Sequence, residues 1–509
     1  MRRLLAAAFL AIATTWAVTG IAVSPARAQG CPPITVAVLP CNTPPVTTST
    51  TRPLTPLGIY VLGSVGCAAA APMAQTLILG RQLTLNEAYR NTFGCIAGPA
   101  GWLIADWLVP PGTVLLGTTP VPGQGPQRPP QRQFSNRNIN VPPPGLTAFV
   151  PNEILLQLAP GVTPQSFART AGLLQITLLE SQSFGLTGRT LTRWRIIGDR
   201  TLRQTLNASG RFAGIASAQP NYLYALQQGP AQANTDPTSA QYVVSKLRLR
   251  EAHQITSGDD VLVAVIDSKV DSAHADLAGV VVDDLDLVGG AAPAHSHGTA
   301  MAGAIAAHSK LLGVAPKVKL LTIRAFSGSG DSAQATTFNI MKGLDWAASK
   351  NARIVNMSFA GPADSLLREM LGKASAHGMV LIAAVGNAGP KSPPLFPAAD
   401  THVIGITATD AQDKLLPQAN RGAQVAVAAP GVDVLVAAPD GAYTLTSGTS
   451  VAAAHASGVA ALLLARDGAL TPRQVRSTMI RTAHPISGAK TDYGAGLIDA
   501  LSAVNSLPK

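Results

Sequence analysis

The sequence predicts an α/β domain on a mostly parallel sheet, preceded by a small α+β unit and a cysteine-bearing helical N-terminal module. Three observations carry this. From about residue 241 onward, apolar strands at 261–266, 318–323, 354–357 and 380–384 alternate with helical stretches, the pattern of a sheet covered on both faces. Between residues 149 and 226, short strands at 153–158, 192–197 and 222–226 surround helix-like stretches at 163–171 and 201–208. All four cysteines fall within the first hundred residues, ahead of a Pro/Gly/Gln/Asn-rich stretch. A length of 509 residues with 47% hydrophobic side chains supports about three domains. Gly (47) and Pro (39) are frequent but follow no collagen-like period, which excludes a fibrous or wholly disordered chain.

At the N-terminus, Arg2 and Arg3 precede an apolar stretch over 4–23, then Ser24-Pro25 and the small-x-small Ala26-Arg27-Ala28. This is the layout of a secretory signal peptide over 1–28, placing the protein in the periplasm or outside the cell; an uncleaved anchor is the alternative. Cys31, Cys41, Cys67 and Cys95 would then meet an oxidising compartment, and their even number favours two disulfides. Of the three pairings, an antiparallel helical hairpin from 57–79 and 83–108, turning near Arg81, brings Cys67 to Cys95 and leaves Cys31 to Cys41. Residues 29–108 therefore read as a disulfide-stapled helical module. Residues 57–79 carry no charge, which leaves membrane association of 57–108 open. Residues 109–148 read as a linker.

The net charge of +11 is unevenly spread. From Lys246 onward there are 22 basic and 21 acidic side chains, and no dense basic face interleaved with aromatics, so a nucleic-acid partner is not expected.

Three segments of the last domain put polar groups at strand ends or helix starts, where an open α/β sheet presents its crevice. A buried strand runs directly into Asp267; His297 opens a small-residue helix; Ser450 opens an apolar helix reaching to about Arg466. Nucleophilic acyl transfer needs this set: a hydroxyl, an imidazole to take its proton, and a carboxylate to orient the imidazolium. A serine at a helix N-terminus also gains from the free N–H groups there.

In order and spacing these segments resemble the subtilisin-like (subtilase) serine peptidases, over roughly Asp236 to Leu497 of a domain spanning 236–509. Further matches are Gly313-Val-Ala-Pro316, Asn356-Met357-Ser358, Ala383-Ala384-Val385-Gly386-Asn387, Ala429-Pro430-Gly431 and Tyr493-Gly-Ala-Gly-Leu497. The resemblance implies a three-layer domain and serine endopeptidase activity on protein or peptide substrates. It implies Asp267, His297 and Ser450 as the triad and Asn387 as the side-chain oxyanion donor, joined by the Ser450 N–H. It further implies that substrate lies as an added strand between Ser358, Phe359, Ala360 and Gly361 on one side and Ala383, Ala384, Val385 and Gly386 on the other. Residues 149–228 are similar to subtilase propeptides, which occupy the cleft of their own enzyme as an intramolecular inhibitor; the alternative is a retained accessory domain. Self-cleavage is expected between residues 225 and 236. The competing class is a non-catalytic, pseudoprotease binding or surface-interaction protein using the same groove.

Lys269, Ala300 and Ala454 replace residues usual in the family, each beside a proton-transfer group without removing one. Lys269 is expected to point to solvent, and His455 to be a packed structural residue. The His295/His297 pair lacks completing ligands, so no metal is expected there. The chemistry needs no cofactor. Structural calcium is the one ion left open, at Asp271 and Asp276 or the cluster Asp283, Asp284 and Asp286, although the loop before Gly313 is reduced to His308-Ser309-Lys310.

Overall fold

The structure, a computed structural model, describes residues 138–227, 241–328 and 330–508. The expected signal peptide, the four cysteines with their disulfides, the apolar segment 57–108 and the linker up to residue 137 lie outside the described residues.

The strands of the first unit are β1 (Asn138–Ile139), β2 (Phe149–Leu158), β3 (Ile176–Phe184), β4 (Arg189–Ile196) and β5 (Ile215–Leu226). Helix α1 (Pro164–Leu174) joins β2 to β3, and α2 (Leu202–Ser209) joins β4 to β5. The order β1-β5-β2-β4-β3, antiparallel from β5 to β3, is a split βαβ arrangement. Each helix starts at a capping box, Thr163 with Ser166 and Thr201 with Gln204, so two otherwise orphaned donors are satisfied at each start. The helices cover one sheet face with a core of Ile154, Leu156, Phe167, Leu174, Trp194 and Leu206, in which the Phe167 and Trp194 rings meet edge-on at 5.5 Å. Strand β1 lies inside the stretch expected to be linker: Asn138 and Ile139 pair with Ser217 and Ala218 at the free edge of β5.

Downstream, the central sheet comprises β6 (Leu262–Asp267), β7 (Val281–Asp286), β8 (Lys319–Arg324), β10 (Ile354–Met357), β12 (Val380–Ala384), β13 (Val403–Thr409) and β14 (Val425–Pro430). They lie in the order β14-β13-β12-β10-β6-β8-β7, every pair parallel. Two short strands, β9 (Gln334–Thr336) and β11 (Phe359–Ala360), stand off this sheet, and β15 (Val434–Ala438) with β16 (Ala442–Thr446) forms a hairpin. The principal helices are α3 (Ser296–Ala306), α4 (Thr337–Ser349), α5 (Ser365–Ala376), α6 (Thr449–Arg466) and α7 (Pro472–Thr482).

Both sheet faces are buried, as the near-continuous apolar strands require. Val263 and Val265 join Ala300, Met301, Val459 and Leu463 on the side of α3 and α6, while Ala264 and Ile266 join Phe338, Leu344, Leu367 and Met370 on the side of α4 and α5. This is the three-layer, mostly parallel architecture the sequence predicts. Helix α6 has a mean hydropathy of 1.2 and would be long enough to cross a membrane, yet it is 89% buried within the sheet and helix layers; it is apolar all round because protein surrounds it.

Strand β5 belongs to both units. Its first half pairs with β2, whereas Leu223, Tyr224 and Ala225 pair antiparallel with β9, and Ala225 and Leu226 with β11. The small unit thereby threads its last residues across the carboxyl ends of the parallel strands.

Candidate active site

Asp267 is the last residue of β6 and is fully buried. Its backbone carbonyl accepts from the N–H groups of Ala325 and Phe326, which fixes the strand end. Its Oδ1 accepts from the Ser268 N–H (2.7 Å) and the Ser268 hydroxyl (3.0 Å), and both carboxylate oxygens face Nδ1 of His297, at 2.8 and 3.0 Å. Ser268 Oγ in turn accepts from the Gly298 N–H at 3.0 Å, tying the strand end to the first turn of α3. A side chain at 298 would place its Cβ 2.4 Å from the Ser268 carbonyl oxygen, so this close approach requires glycine.

His297 is likewise fully buried, on a helix whose N-cap His295 accepts from the His297 N–H through Nδ1. With Nδ1 turned to the carboxylate, Nε2 is the nitrogen left for a proton transfer; among the described residues it has no hydrogen-bond partner.

Ser450 is the second residue of α6. Its hydroxyl lies 2.6 Å from the carbonyl oxygen of Gln227 and 2.9 Å from that of Ser358, while its own carbonyl accepts from Ser358 Oγ at 2.9 Å. Below it a buried polar chain runs from Ser358 Oγ through Asn356 to Ser457, with links of 2.9 and 3.0 Å. The nucleophile candidate is thus anchored on β10 as well as on its own helix.

Asn387 follows the end of β12. Its Nδ2 donates to the Gln227 carbonyl at 2.8 Å, and its Oδ1 accepts from the Thr449 hydroxyl at 2.8 Å and the Thr449 N–H at 3.2 Å. Those two donors orient the amide so that its NH2 faces the carbonyl. The Ser450 N–H reaches the same oxygen at 3.3 Å. The Gln227 carbonyl oxygen therefore sits under three donors, at the convergence of Ser450 and Asn387.

Sequence reasoning places Asp267, His297, Ser450 and Asn387 in one site; the fold joins them as two pairs, His297 hydrogen-bonded to Asp267, and Ser450 with Asn387 on the Gln227 carbonyl, while the Ser450 hydroxyl bonds the Gln227 and Ser358 carbonyls rather than His297 Nε2. It misses Thr449, Ser268 and Gln227, as well as one wall of the cleft. Ser358, Phe359, Ala360 and Gly361 do flank the chain's own strand, with Leu226 opposite Phe359 and Ala225 opposite Ala360. On its other edge this strand pairs with Gln334–Thr336, and not with the expected Ala383, Ala384, Val385 and Gly386. Ala383 is paired with Met357 on one side and Gly405 on the other, Ala384 with Ile406, and the Val385 N–H donates to the Ile406 carbonyl, so these hydrogen bonds go to β10 and β13 and not to β5.

Lys269 donates to the Ala292 carbonyl at 2.8 Å and makes no contact with the carboxylate of Asp267. His455, 3% exposed, bonds the Pro430 carbonyl through Nδ1, and burial pushes its pKa down to about 4. Four of the five acidic groups left open to calcium, all but Asp284, are engaged by protein. Asp276 accepts from the Ser309 and Leu311 N–H groups and the Tyr443 hydroxyl; Asp271 accepts from the Asp440 N–H; Asp283 pairs with Lys350 and Asp286 with Arg324. Among the described residues no group of three or more His, Cys, Asp or Glu side chains is gathered for a metal.

Comparison with known proteins converges on one family. The sequence profile of the Subtilase family matches residues 258–496. Subtilisin DY of Bacillus licheniformis is 35% identical over 256 residues, covering 48% of this chain and 91% of that protein. Thermitase of Thermoactinomyces vulgaris is 33% identical over 275 residues, or 52% of this chain and 96% of the relative. A thermophilic serine proteinase of a Bacillus strain, 29% identical, aligns over 70% of this chain and 88% of its own length. Among solved structures, fervidolysin of Fervidobacterium pennivorans, a keratinolytic enzyme related to subtilisin, superposes with a TM-score of 0.60 at 24% identity; the match covers 70% of this chain and 61% of that one, a likeness of fold.

Proposed function

This chain belongs to the subtilase family of serine endopeptidases, and from that premise we propose that it is a secreted enzyme made as a self-processing zymogen. In this reading the unit ending in β5 is a propeptide that holds the cleft of its own enzyme, and self-cleavage falls between Gln227 and Gln228. Ser450 Oγ bonds to the Gln227 carbonyl carbon while His297 Nε2 takes the hydroxyl proton. Asp267 holds the ring and stabilises the imidazolium, and Asn387 Nδ2 with the Ser450 N–H receives the developing oxyanion. Collapse breaks the bond to the Gln228 nitrogen, which leaves with the proton from His297; water then releases Gln227 from Ser450 by the same steps in reverse. Protein and peptide substrates would follow the same course, bound as a strand between β9 and β11.

The observation that carries this reading is the Gln227 carbonyl, held at once by Ser450 N–H, Ser450 Oγ and Asn387 Nδ2. The alignment over 70% of the chain with a serine proteinase, too long to fit downstream of β5, supports an upstream unit shared with a relative. Secretion rests on the leader 1–28. The test is Ser450→Ala: it is expected to abolish both casein hydrolysis and labelling by a fluorophosphonate. A variant that still cleaves casein would contradict the assignment. Wild-type protein that folds but neither labels nor cleaves would favour the non-catalytic binding role.

A further inference from the structure

Tyr224 is the fourth residue before the proposed scissile bond, and its side chain is fully buried. The ring stands edge-on to Phe359, with centroids 5.9 Å apart and planes at 77°. A Cβ at Gly361 would come within 2.5 Å of that ring, so the glycine leaves the space the aromatic fills. The hydroxyl ends 3.2 Å from the Pro362 carbonyl oxygen and 3.4 Å from Oδ2 of Asp364. Asp364 is 1% exposed and also accepts from the Leu367 N–H, the Thr337 hydroxyl (2.6 Å) and Gln219 Nε2 (2.8 Å). Gln219 and Tyr224 belong to the unit that would leave on maturation; Thr337 and Leu367 stay. Departure therefore strips two donors from a carboxylate that remains fixed at the foot of an aromatic-sized pocket.

We infer that this pocket reads a hydroxyl: Asp364 and the Pro362 carbonyl make the enzyme prefer tyrosine over phenylalanine four residues before the cleaved bond. The inference rests on the peptidase reading above and names a substrate class within it. Phenylalanine would fill the same space but remove the one phenolic proton that the Pro362 carbonyl and Asp364 Oδ2 share, a loss that a purely apolar pocket would not register. Thr337 and the Leu367 N–H still serve Asp364, so the discrimination is about tenfold rather than the far larger factor expected for a wholly unpaired group. Burial, and next the charge of Asp364, hold the Tyr224 phenol well above its usual pKa range, so it remains a donor.

The test uses full-length protein after its own maturation, with active sites counted by fluorophosphonate labelling. Acetyl-Tyr-Ala-Leu-Gln and acetyl-Phe-Ala-Leu-Gln p-nitroanilides are compared by kcat/KM. About tenfold in favour of the tyrosine peptide is expected, and Asp364→Asn should bring the ratio close to one, because the amide keeps an oxygen for the Leu367 N–H but presents an N–H to the pocket. Equal rates on a labelled wild-type enzyme, or a preference that survives Asp364→Asn, would overturn the tyrosine preference and leave the peptidase reading intact. The wild-type ratio decides the matter even if the variant does not fold. Absence of both labelling and turnover would overturn the two readings together.

Discussion

Asn387 depends on a neighbour that pattern alone does not reveal. Its amide can turn either way, and only the two donors of Thr449, hydroxyl and N–H, commit Oδ1 to helix α6 and Nδ2 to the carbonyl of Gln227. Asn387→Ala is expected to lower kcat by about 10² to 10³ with KM little changed, a size taken from the loss of one such donor in a subtilisin. Steady-state kinetics on a peptide anilide check this, and a variant of undiminished kcat would remove Asn387 from the oxyanion site. The principal residues are legible in sequence because of where they stand. A carboxylate ending an apolar strand, or a histidine or serine opening an apolar helix, is costly to bury unless its polar atoms are put to use. Thr449 and Ser268 are not legible, since a hydroxyl beside a motif carries no sign of whether it faces an amide, a carboxylate or water.

Elements buried on both sides announce themselves, and half-solvated ones do not. Strands β10 and β12 match the boundaries expected from their apolar runs because these are buried along their whole length. Strand β3 escapes the sequence pattern: only its two end residues are buried, and a bulge between Leu178 and Glu180 breaks the two-residue alternation that would have marked it. Gln334–Thr336 escapes it for a different reason, since three residues become a strand only when β5 arrives from more than a hundred positions upstream. Helix α6 carries a cost of its own burial through His455. The unfolded histidine titrates near 6.5 and the folded one near 4, so between these values the unfolded chain binds the extra proton and stability falls as pH falls. The full difference is about 3 kcal/mol at one pH unit per 1.4 kcal/mol. In a Ser450→Ala background, which prevents autolysis, urea unfolding at pH 7 and pH 4.5 should show the larger part of that loss. His455→Gln, whose amide can still reach the Pro430 carbonyl, should show a smaller one; identical pH slopes for the two proteins would contradict it.

At the scale of the whole molecule, one strand links two cores. β5 completes the antiparallel sheet of the upstream unit and then, without a break, becomes a strand between β9 and β11 that ends with its carbonyl beneath Ser450 and Asn387. Side-chain contacts reinforce that docking: Asp345 on α4 accepts from the Gly185 and Leu186 N–H groups, and Lys342 pairs with Glu180. The two-unit organisation is readable from the change of hydrophobic period near residue 241, but the point where the strand ends under the site is not, because Gln227 and its neighbours carry no distinguishing pattern. Whether this carbonyl is the scissile one is decided by the mass and carboxyl terminus of the upstream fragment released by wild-type protein, set against Ser450→Ala expressed in parallel. A fragment ending at Gln227 is expected from the wild type and an uncut chain from the variant. A wild-type fragment ending elsewhere, or identical chains from both proteins, would contradict it.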